Sequence, residues 1–206
     1  AGFDELAGGG WLGINDQGVL AGILNREGTL GPLDGKRSRG ELVLEALDHP
    51  DAVLAADALS NLDPTAYRPF NLVVADNRDA YFLSSRGDGH IRVRPVGEGV
   101  TMVTASDPND QSHPRIRRYL PLFRTAAVPE PETGDWSAWE DLLASRRHDE
   151  DAGPRGAMCF VTEDGFGTTS AALIALPNIR RPDLAPVWRF APGRPDETPW
   201  NDVPLT

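Results

Sequence analysis

Residues 8–41, GGGWLGINDQGVLAGILNREGTLGPLDGKRSRGE, decide the fold of this chain. The segments 11–15 and 19–25 are short apolar runs rich in β-forming residues, and Asn15-Asp16-Gln17-Gly18 joins them. Asn and Asp accept turn geometry, and Gly18 supplies a positive φ where the chain returns. The pattern predicts a β-hairpin. Further glycines inside the runs indicate tight sheet packing or the close approach of another backbone; they stand at positions 9, 10, 13 and 22.

The hairpin is followed by a glycine-rich loop and a helix start. Gly28, Gly31 and Gly35, together with Pro32, rule out regular structure over this part of the chain. Ser38 and Glu41 then match the S-x-x-E capping box ahead of the apolar run 42–47. The sequence therefore predicts a helix that begins near Ser38.

Three cations stand at the unfavourable end of that predicted helix. Lys36, Arg37 and Arg39 lie at its N-terminus, where the helix dipole is positive. One hypothesis is that they bind an anion such as a phosphate or a carboxylate, together with Ser38 and the free backbone N–H groups. The alternative is a solvated basic patch that pairs with some of the many acidic side chains.

Composition limits the classes of function. The chain has 206 residues, a net charge of −11 and a pI near 4.7. This length suits one domain, and the acidic balance argues against nucleic-acid and anionic-membrane partners. The only cysteine, Cys159, allows no internal disulfide and argues against a cysteine zinc site. We expect a cytoplasmic protein without a signal peptide or a transmembrane segment, and the sequence indicates no oligomeric state.

The remaining segments alternate between strand-like and helix-like patterns. Turn residues at 76–79 and 86–89 separate short strands in the manner of an antiparallel meander. The predicted helices are 38–48, 51–62, 114–123 and 136–144, and the predicted strands after the hairpin are 71–75, 80–84, 90–95, 100–104, 157–162, 168–176 and 187–190. The pattern predicts an α+β fold with largely antiparallel sheets and an irregular tail over 191–206.

Common catalytic motifs are absent from the sequence. It contains no G-x-S-x-G elbow, no phosphate-binding P-loop and no H-E-x-x-H helix. The four histidines lack the spacing of a metal site, so we predict no metal centre, and none stands out as a haem ligand. Met102, Met158 and Cys159 are interpreted as packing residues.

Several segments resemble the NRDE family, also called the transport and Golgi organisation protein 2 family. They are GGGWLGIN, GVLAGILN, LGPLDGKRSRGEL, PFNLVVAD and GFGTTSAALIAL, which together run to about residue 176. The resemblance implies a four-layer αββα sandwich of the kind found in N-terminal-nucleophile hydrolases. We therefore predict one NRDE-type domain over 1–190, followed by the tail.

The chain departs from the family pattern at positions that matter for catalysis. Family members open with a Cys after the initiator Met and carry an Asn-Arg-Asp-Glu signature about twenty residues later. The sequence begins at Ala1 and shows neither feature, so we expect the first strands of the fold to be missing and no catalytic nucleophile to be present. Asn25 resembles the oxyanion-hole Asn of the bile-salt-hydrolase branch. Small residues, Thr104-Ala105-Ser106 and Thr169, stand where relatives have Asn and Arg.

The resemblance also implies a function. The roles proposed for the family are haem trafficking and the handling of lipids or acyl-coenzyme A. Both ligands join carboxylates or phosphates to a large apolar part, which suits an apolar cleft with cations at its mouth. We expect Asn25 and the segment Lys36, Arg37, Ser38 and Arg39 to contact this ligand, with haem as a ligand rather than a resident cofactor. Two alternatives remain open: a C–N hydrolase that uses an N-terminal Cys, and an interaction domain without a small ligand.

Overall fold

The computed structural model describes residues 2–4, 9–181 and 183–205, so that Ala1 and Gly8 lie outside the described residues. It divides into two compact units, Ala1–Pro108 and Asn109–Thr206. Within its described residues, the first unit contains six strands and two α-helices: β1 Gly2–Asp4, β2 Gly9–Ile14, β3 Leu20–Asn25, α1 Glu41–Leu47, α2 Ala52–Ser60, β4 Phe70–Ala75, β5 Ala80–Ser85 and β6 Ile91–Pro95. The second contains α3 Pro114–Thr125, α4 Ser137–Leu143, β7 Ala171–Ala175, β8 Val187–Ala191 and β9 Asn201–Asp202.

The six strands of the first unit form one antiparallel sheet in the order β1-β2-β3-β4-β5-β6. The predicted hairpin is confirmed. Its turn is closed by the Asn15 side chain, whose Oδ1 accepts from the N–H groups of Gln17 at 3.0 Å and Val19 at 2.8 Å. Gly18 has a φ of 84°, the left-handed conformation that the turn requires.

Helices α1 and α2 cover one face of this sheet. Strand side chains alternate between faces, so residues paired across neighbouring strands point to the same side. Ile23 pairs with Leu72, and Leu72 with Leu83. All three side chains are buried in one core with apolar residues of the helices, among them Leu42, Val43, Ala46, Ala55 and Leu59. Asn71, the neighbour of Leu72, therefore lies on the opposite face.

Two glycines bring the first helix close to the sheet. The Gly10 N–H donates to the Gly40 carbonyl oxygen at 3.1 Å. A Cβ atom at Gly9 would lie 2.5 Å from the Gly40 carbonyl carbon and 2.7 Å from its Cα. The strand glycines thus permit the close backbone approach that the sequence indicates.

Helix α1 begins later than the capping box predicts. It starts at Glu41, with Gly40 as its N-cap and without a capping hydrogen bond from a side chain. The two side chains of the predicted box have other partners. The Ser38 Oγ accepts from the Gly40 N–H at 3.2 Å, and the Glu41 carboxylate pairs with Arg37 at 2.6 Å.

The second unit packs α3 and α4 together and has its own three-stranded antiparallel sheet, β7-β8-β9. The rings of Phe123 and Trp139 meet edge to face at 5.1 Å. Tyr119 is buried, and its hydroxyl donates to the Arg147 carbonyl oxygen at 2.5 Å. Apolar packing and the hydrogen bond of the buried Tyr119 hydroxyl therefore help to hold this unit together.

Two predicted strands are wrong, and the expected irregular tail contains a short strand. Residues 100–104 pair with no strand among the described residues, and the Thr104 carbonyl oxygen accepts from the Asn71 side chain instead. Within 157–162 the described pairing is a single bridge between Val161 and Gly167. Strand β9 lies within 191–206 and pairs with β8.

The sheets of both units are antiparallel, as predicted for an α+β fold. Across the described residues, no helix combines the length and apolar character needed to cross a membrane.

Candidate functional site

Asn25 ends strand β3 and pairs with Phe70 of β4. This pairing places it on the side of the sheet that carries the helices, because Phe70 belongs to the core beneath them. Its Oδ1 atom is buried and has no hydrogen-bond partner among the described residues. The predicted site residue thus offers an unused polar atom at the end of a strand.

Lys36 and Arg37 lie against the segment that precedes β4. The Lys36 ammonium group donates to the Thr65 carbonyl oxygen at 2.5 Å. The Arg37 guanidinium pairs with Glu41 and lies over the Tyr67 ring, with 5.3 Å between its Cζ atom and the ring centroid. Both residues remain exposed, so a ligand in solution can reach them.

Arg39 is a buried cation with only 8% of its surface exposed. Its Nη1 atom donates to the carbonyl oxygens of Thr29 at 2.9 Å and Pro69 at 3.0 Å. Burial, followed by the charge of nearby Arg68, lowers the pKa of Arg39. Pro69 immediately precedes Phe70, the partner of Asn25, so Arg39 and Asn25 lie at the same end of the sheet.

Arg68 fixes the other side of the glycine-rich loop. Its Nη1 atom donates to the carbonyl oxygens of Leu30 at 2.9 Å, Gly31 at 2.9 Å and Pro32 at 3.2 Å. The loop presents two apolar side chains to solvent, Leu30 at 64% and Leu33 at 52% exposure. We call residues 28–39 the cationic loop. It combines an apolar tip with cations on its flank.

A second polar cluster lies on the opposite face of the sheet, and the sequence interpretation missed it. Asn71 is fully buried and pairs with Ser84. Its Nδ2 atom donates to the carbonyl oxygens of Thr104 at 2.8 Å and Ser106 at 2.7 Å, and its Oδ1 accepts from Arg26 at 2.6 Å. The segment 104–106, where the resemblance expects an Asn, is thus tied to the sheet through Asn71.

Three arginines converge on one carboxylate beside Asn71. Arg26 contacts Asp107 Oδ1 at 3.0 Å, Arg94 contacts Oδ2 at 3.1 Å, and Arg86 also contacts Oδ2. Burial opposes the ionisation of Asp107. Hydrogen bonds from Arg94 and Arg26, with the charge of Arg86, outweigh this effect and lower the pKa of Asp107. We call Arg26, Arg86, Arg94 and Asp107 the Asp107 cluster.

A weak signal for this second cluster is present in the sequence. Asn71 interrupts the apolar run of β4, and Ser84-Ser85 ends the apolar run of β5. A buried polar residue inside such a strand needs a partner, so these positions indicate a site. The arginines themselves stand far apart in the chain, and their convergence requires the pairing of β4, β5 and β6.

Cys159 is buried in the second unit and is held by Asp196. Its Sγ atom donates to Asp196 Oδ1 at 3.0 Å. Burial, with the hydrogen bond to Asp196, raises the pKa of the Cys159 thiol. A thiol that resists ionisation is a poor nucleophile, which agrees with a packing role. No group of three or more His, Cys, Asp or Glu side chains within the described ranges could hold a metal ion.

Comparison with known proteins identifies the family. No curated protein matches the chain. The family model that matches is described as Transport and Golgi organisation 2, and it covers residues 1–177. This range includes the cationic loop, Asn25 and the Asp107 cluster. The chain therefore belongs to the Transport and Golgi organisation 2 family, also known as the NRDE family.

Proposed function

We propose that this family member binds an amphipathic small-molecule anion at the cationic loop, with haem or an acyl-coenzyme A-like lipid as the ligand. The observation that carries the proposal is the composition of the loop surface. Leu30 and Leu33 are exposed within a few residues of the exposed cations Lys36 and Arg37. An apolar surface beside cations matches a ligand that joins an apolar body to carboxylates or phosphates.

The charge of the whole chain makes these local cations important. At a net charge of −11 the chain repels anions at long range, so an anionic ligand needs a local positive site. Lys36 and Arg37 supply exposed positive charge on the flank of the loop. Arg39 and Arg68 act on the backbone by holding the carbonyl groups of the loop. Ser38 keeps the loop end in place through its contact with Gly40.

Asn25 gives this proposal a second polar position. Its Oδ1, which has no partner among the residues that the structure describes, lies at the same sheet end as Arg39 and offers an acceptor to a ligand. We further propose that the fold is the four-layer αββα sandwich of N-terminal-nucleophile hydrolases and that the protein works in the cytoplasm. The absence of any disulfide-capable cysteine pair supports an intracellular setting.

The second candidate function is hydrolysis of a C–N bond. The position of Asn25 at a strand end favours it, because an amide side chain there resembles an oxyanion-hole residue of this fold. The reaction needs an N-terminal Cys nucleophile, which the sequence does not contain. Mass-spectrometric trapping by an amide panel, in a form of the protein that carries an N-terminal Cys, therefore tests the hydrolase proposal, and a covalent adduct on that Cys would favour hydrolysis over simple binding.

Equilibrium titration with haemin and with palmitoyl-coenzyme A tests the binding proposal. We expect saturable binding of at least one probe. The double variant Lys36→Glu, Arg37→Glu should weaken it about tenfold or more, because reversal removes two charge-assisted contacts. Leu30→Ser with Leu33→Ser should also weaken it, since the apolar contact is lost.

Matched controls exist elsewhere in the first unit. Arg78→Glu reverses an exposed charge at the turn after β4, and Val53→Ser with Leu54→Ser removes exposed apolar groups from α2. These variants should bind like the parent chain. Absence of saturable binding to both probes, or equal binding by loop and control variants, would contradict a ligand site at the cationic loop.

A further inference from the structure

The Asp107 cluster carries more positive charge than its internal partner neutralises. The guanidinium groups of Arg26, Arg86 and Arg94 contact a single carboxylate. The local net charge is therefore +2, in a chain whose overall net charge is −11. Like charges held together in this way repel one another, and a dianion would relieve that repulsion.

The sheet holds these arginines in place. Arg94 pairs across the strands with Phe82, and its guanidinium lies over that ring, with 5.6 Å between Cζ and the ring centroid. Arg26 is fixed by the Asn71 side chain at 2.6 Å. Arg94 and Arg26 are thus positioned by buried neighbours before any ligand arrives, which lowers the entropic cost of binding.

Solvent can reach the cluster from one side. The Arg86 side chain is 44% exposed and the Arg94 side chain is 50% exposed. Arg26 and Asp107 are more deeply placed. The cluster therefore has an inner wall made by Arg26 and two guanidinium groups that a ligand in solution can contact.

A buried hydroxyl next to Asn71, the residue that holds Arg26, provides an independent sign of a ligand. Ser84 is fully buried, and its Oγ has no hydrogen-bond partner among the described residues. It lies between Asn71 of β4 and Arg92 of β6 in one cross-strand row on the face away from the helices. A buried hydroxyl without a partner is unfavourable, so this row lacks a polar group that would complete it.

We propose that Arg26, Arg86, Arg94 and the Ser84 hydroxyl form a binding site for a dianionic phosphate group, and that Asp107 is the internal anion which the phosphate displaces. Guanidinium groups suit phosphate because their N–H donors match its oxygen atoms. Asp107 carries one negative charge where the site offers three positive charges. A phosphate dianion neutralises more of this charge and offers more acceptor atoms. This site is separate from the cationic loop and does not depend on the ligand proposed there.

Calorimetric titration at low ionic strength tests the phosphate site. Inorganic phosphate and phenyl phosphate are the two probes, and they separate free phosphate from a phosphate monoester. We expect binding of at least one probe. Arg86→Ala and Arg94→Ala should each weaken it about fivefold or more, since each variant removes a charge-assisted donor. Arg78→Ala, an exposed arginine at the other end of β4, should leave the affinity unchanged.

Removal of Asp107 gives the sharpest test. If Asp107 occupies the phosphate position, Asp107→Ala should bind phosphate about fivefold more tightly than the parent chain, because the internal competitor is gone. Asp107→Asn removes the same charge and serves as the second variant if Asp107→Ala does not fold. Weaker binding by the Asp107 variants, no binding of either probe, or equal binding by Arg94→Ala and Arg78→Ala would overturn the proposal.

Discussion

The cationic loop and the Asp107 cluster both depend on arginine side chains, yet these arginines contact different kinds of group. At the cationic loop, Arg39 within it and Arg68 beside it donate to backbone carbonyl groups and so determine the shape of the chain. In the Asp107 cluster, three guanidinium groups contact one carboxylate, so that a net positive charge remains. They belong to Arg26, Arg86 and Arg94. The partner of an arginine, rather than its place in the sequence, therefore decides whether it builds structure or offers a binding site.

The largest effect is expected for Arg39→Ala in the cationic loop. Loss of this buried guanidinium removes a donor from the Thr29 carbonyl oxygen and leaves the Pro69 carbonyl oxygen with the Thr29 hydroxyl as its remaining side-chain donor. We expect a loss of roughly 2–4 kcal/mol in the free energy of unfolding, measured by urea denaturation. Arg37→Ala is the matched control from the same loop, and it should cost much less than Arg39→Ala because Arg37 is mostly exposed. Equal losses would show that Arg39 does not hold the loop.

A smaller effect is expected for Asn71→Ala, which removes the support of the Asp107 cluster. Asn71 is fully buried and contacts Arg26, Thr104 and Ser106. Its removal should cost roughly 2–3 kcal/mol, since the buried groups that it satisfied lose their partner. Ser84→Ala, across the strands from Asn71, should change the unfolding free energy by less than about 1 kcal/mol because its hydroxyl has no partner to lose within the described part of the chain. A greater loss for Ser84→Ala than for Asn71→Ala would contradict this account.

The smallest expected effect is a difference between the Asp107 cluster and the cationic loop in how their contribution to the free energy of unfolding depends on pH. The pKa of Asp107 is lowered in the folded state, so its contribution to stability is complete above the unfolded value of about 3.9. That contribution is lost as the pH falls through the lower folded pKa. The stability gap between the parent chain and Asp107→Asn should therefore narrow as the pH falls below about 4.

The cationic loop provides the contrast for this experiment. The contacts of Arg39 are to carbonyl groups, which do not titrate, and its guanidinium stays charged throughout the acid range. The loss caused by Arg39→Ala should be the same at pH 7 and at pH 3.5. If the difference in unfolding free energy between the parent chain and Asp107→Asn did not change with pH, the Asp107 carboxylate would contribute little to folding.

The local patterns of the sequence predict much of the first unit. The hairpin turn at Asn15 and Gly18, and the strands on either side of the turn at 76–79, follow from residue-level rules and agree with the structure. The rules failed for 100–104, where a side chain rather than a strand satisfies the backbone. They also placed the start of α1 too early, because Glu41 pairs with Arg37 instead of capping the helix.

The candidate site residues likewise divide into those that the sequence indicated and those that only the structure revealed. Asn25 could be proposed from the family resemblance, and the structure finds its Oδ1 buried without a partner among the described residues. Asn71 carried only a weak signal, as a polar residue within an apolar strand. Asp107 carried no signal in the sequence, since its partners Arg26, Arg86 and Arg94 lie 81, 21 and 13 residues away along the chain.

The sequence by itself determined the family, the antiparallel hairpins and the presence of a cation-rich loop, because each depends on residues that are close together in the chain. Only the tertiary structure decided what each cation does. A guanidinium has several donors and a long side chain, so its role depends on which carbonyl or carboxylate the fold brings within reach. Arg39 therefore donates to the backbone of its own loop. The pairing of distant strands instead brings three arginines to Asp107, namely Arg26, Arg86 and Arg94.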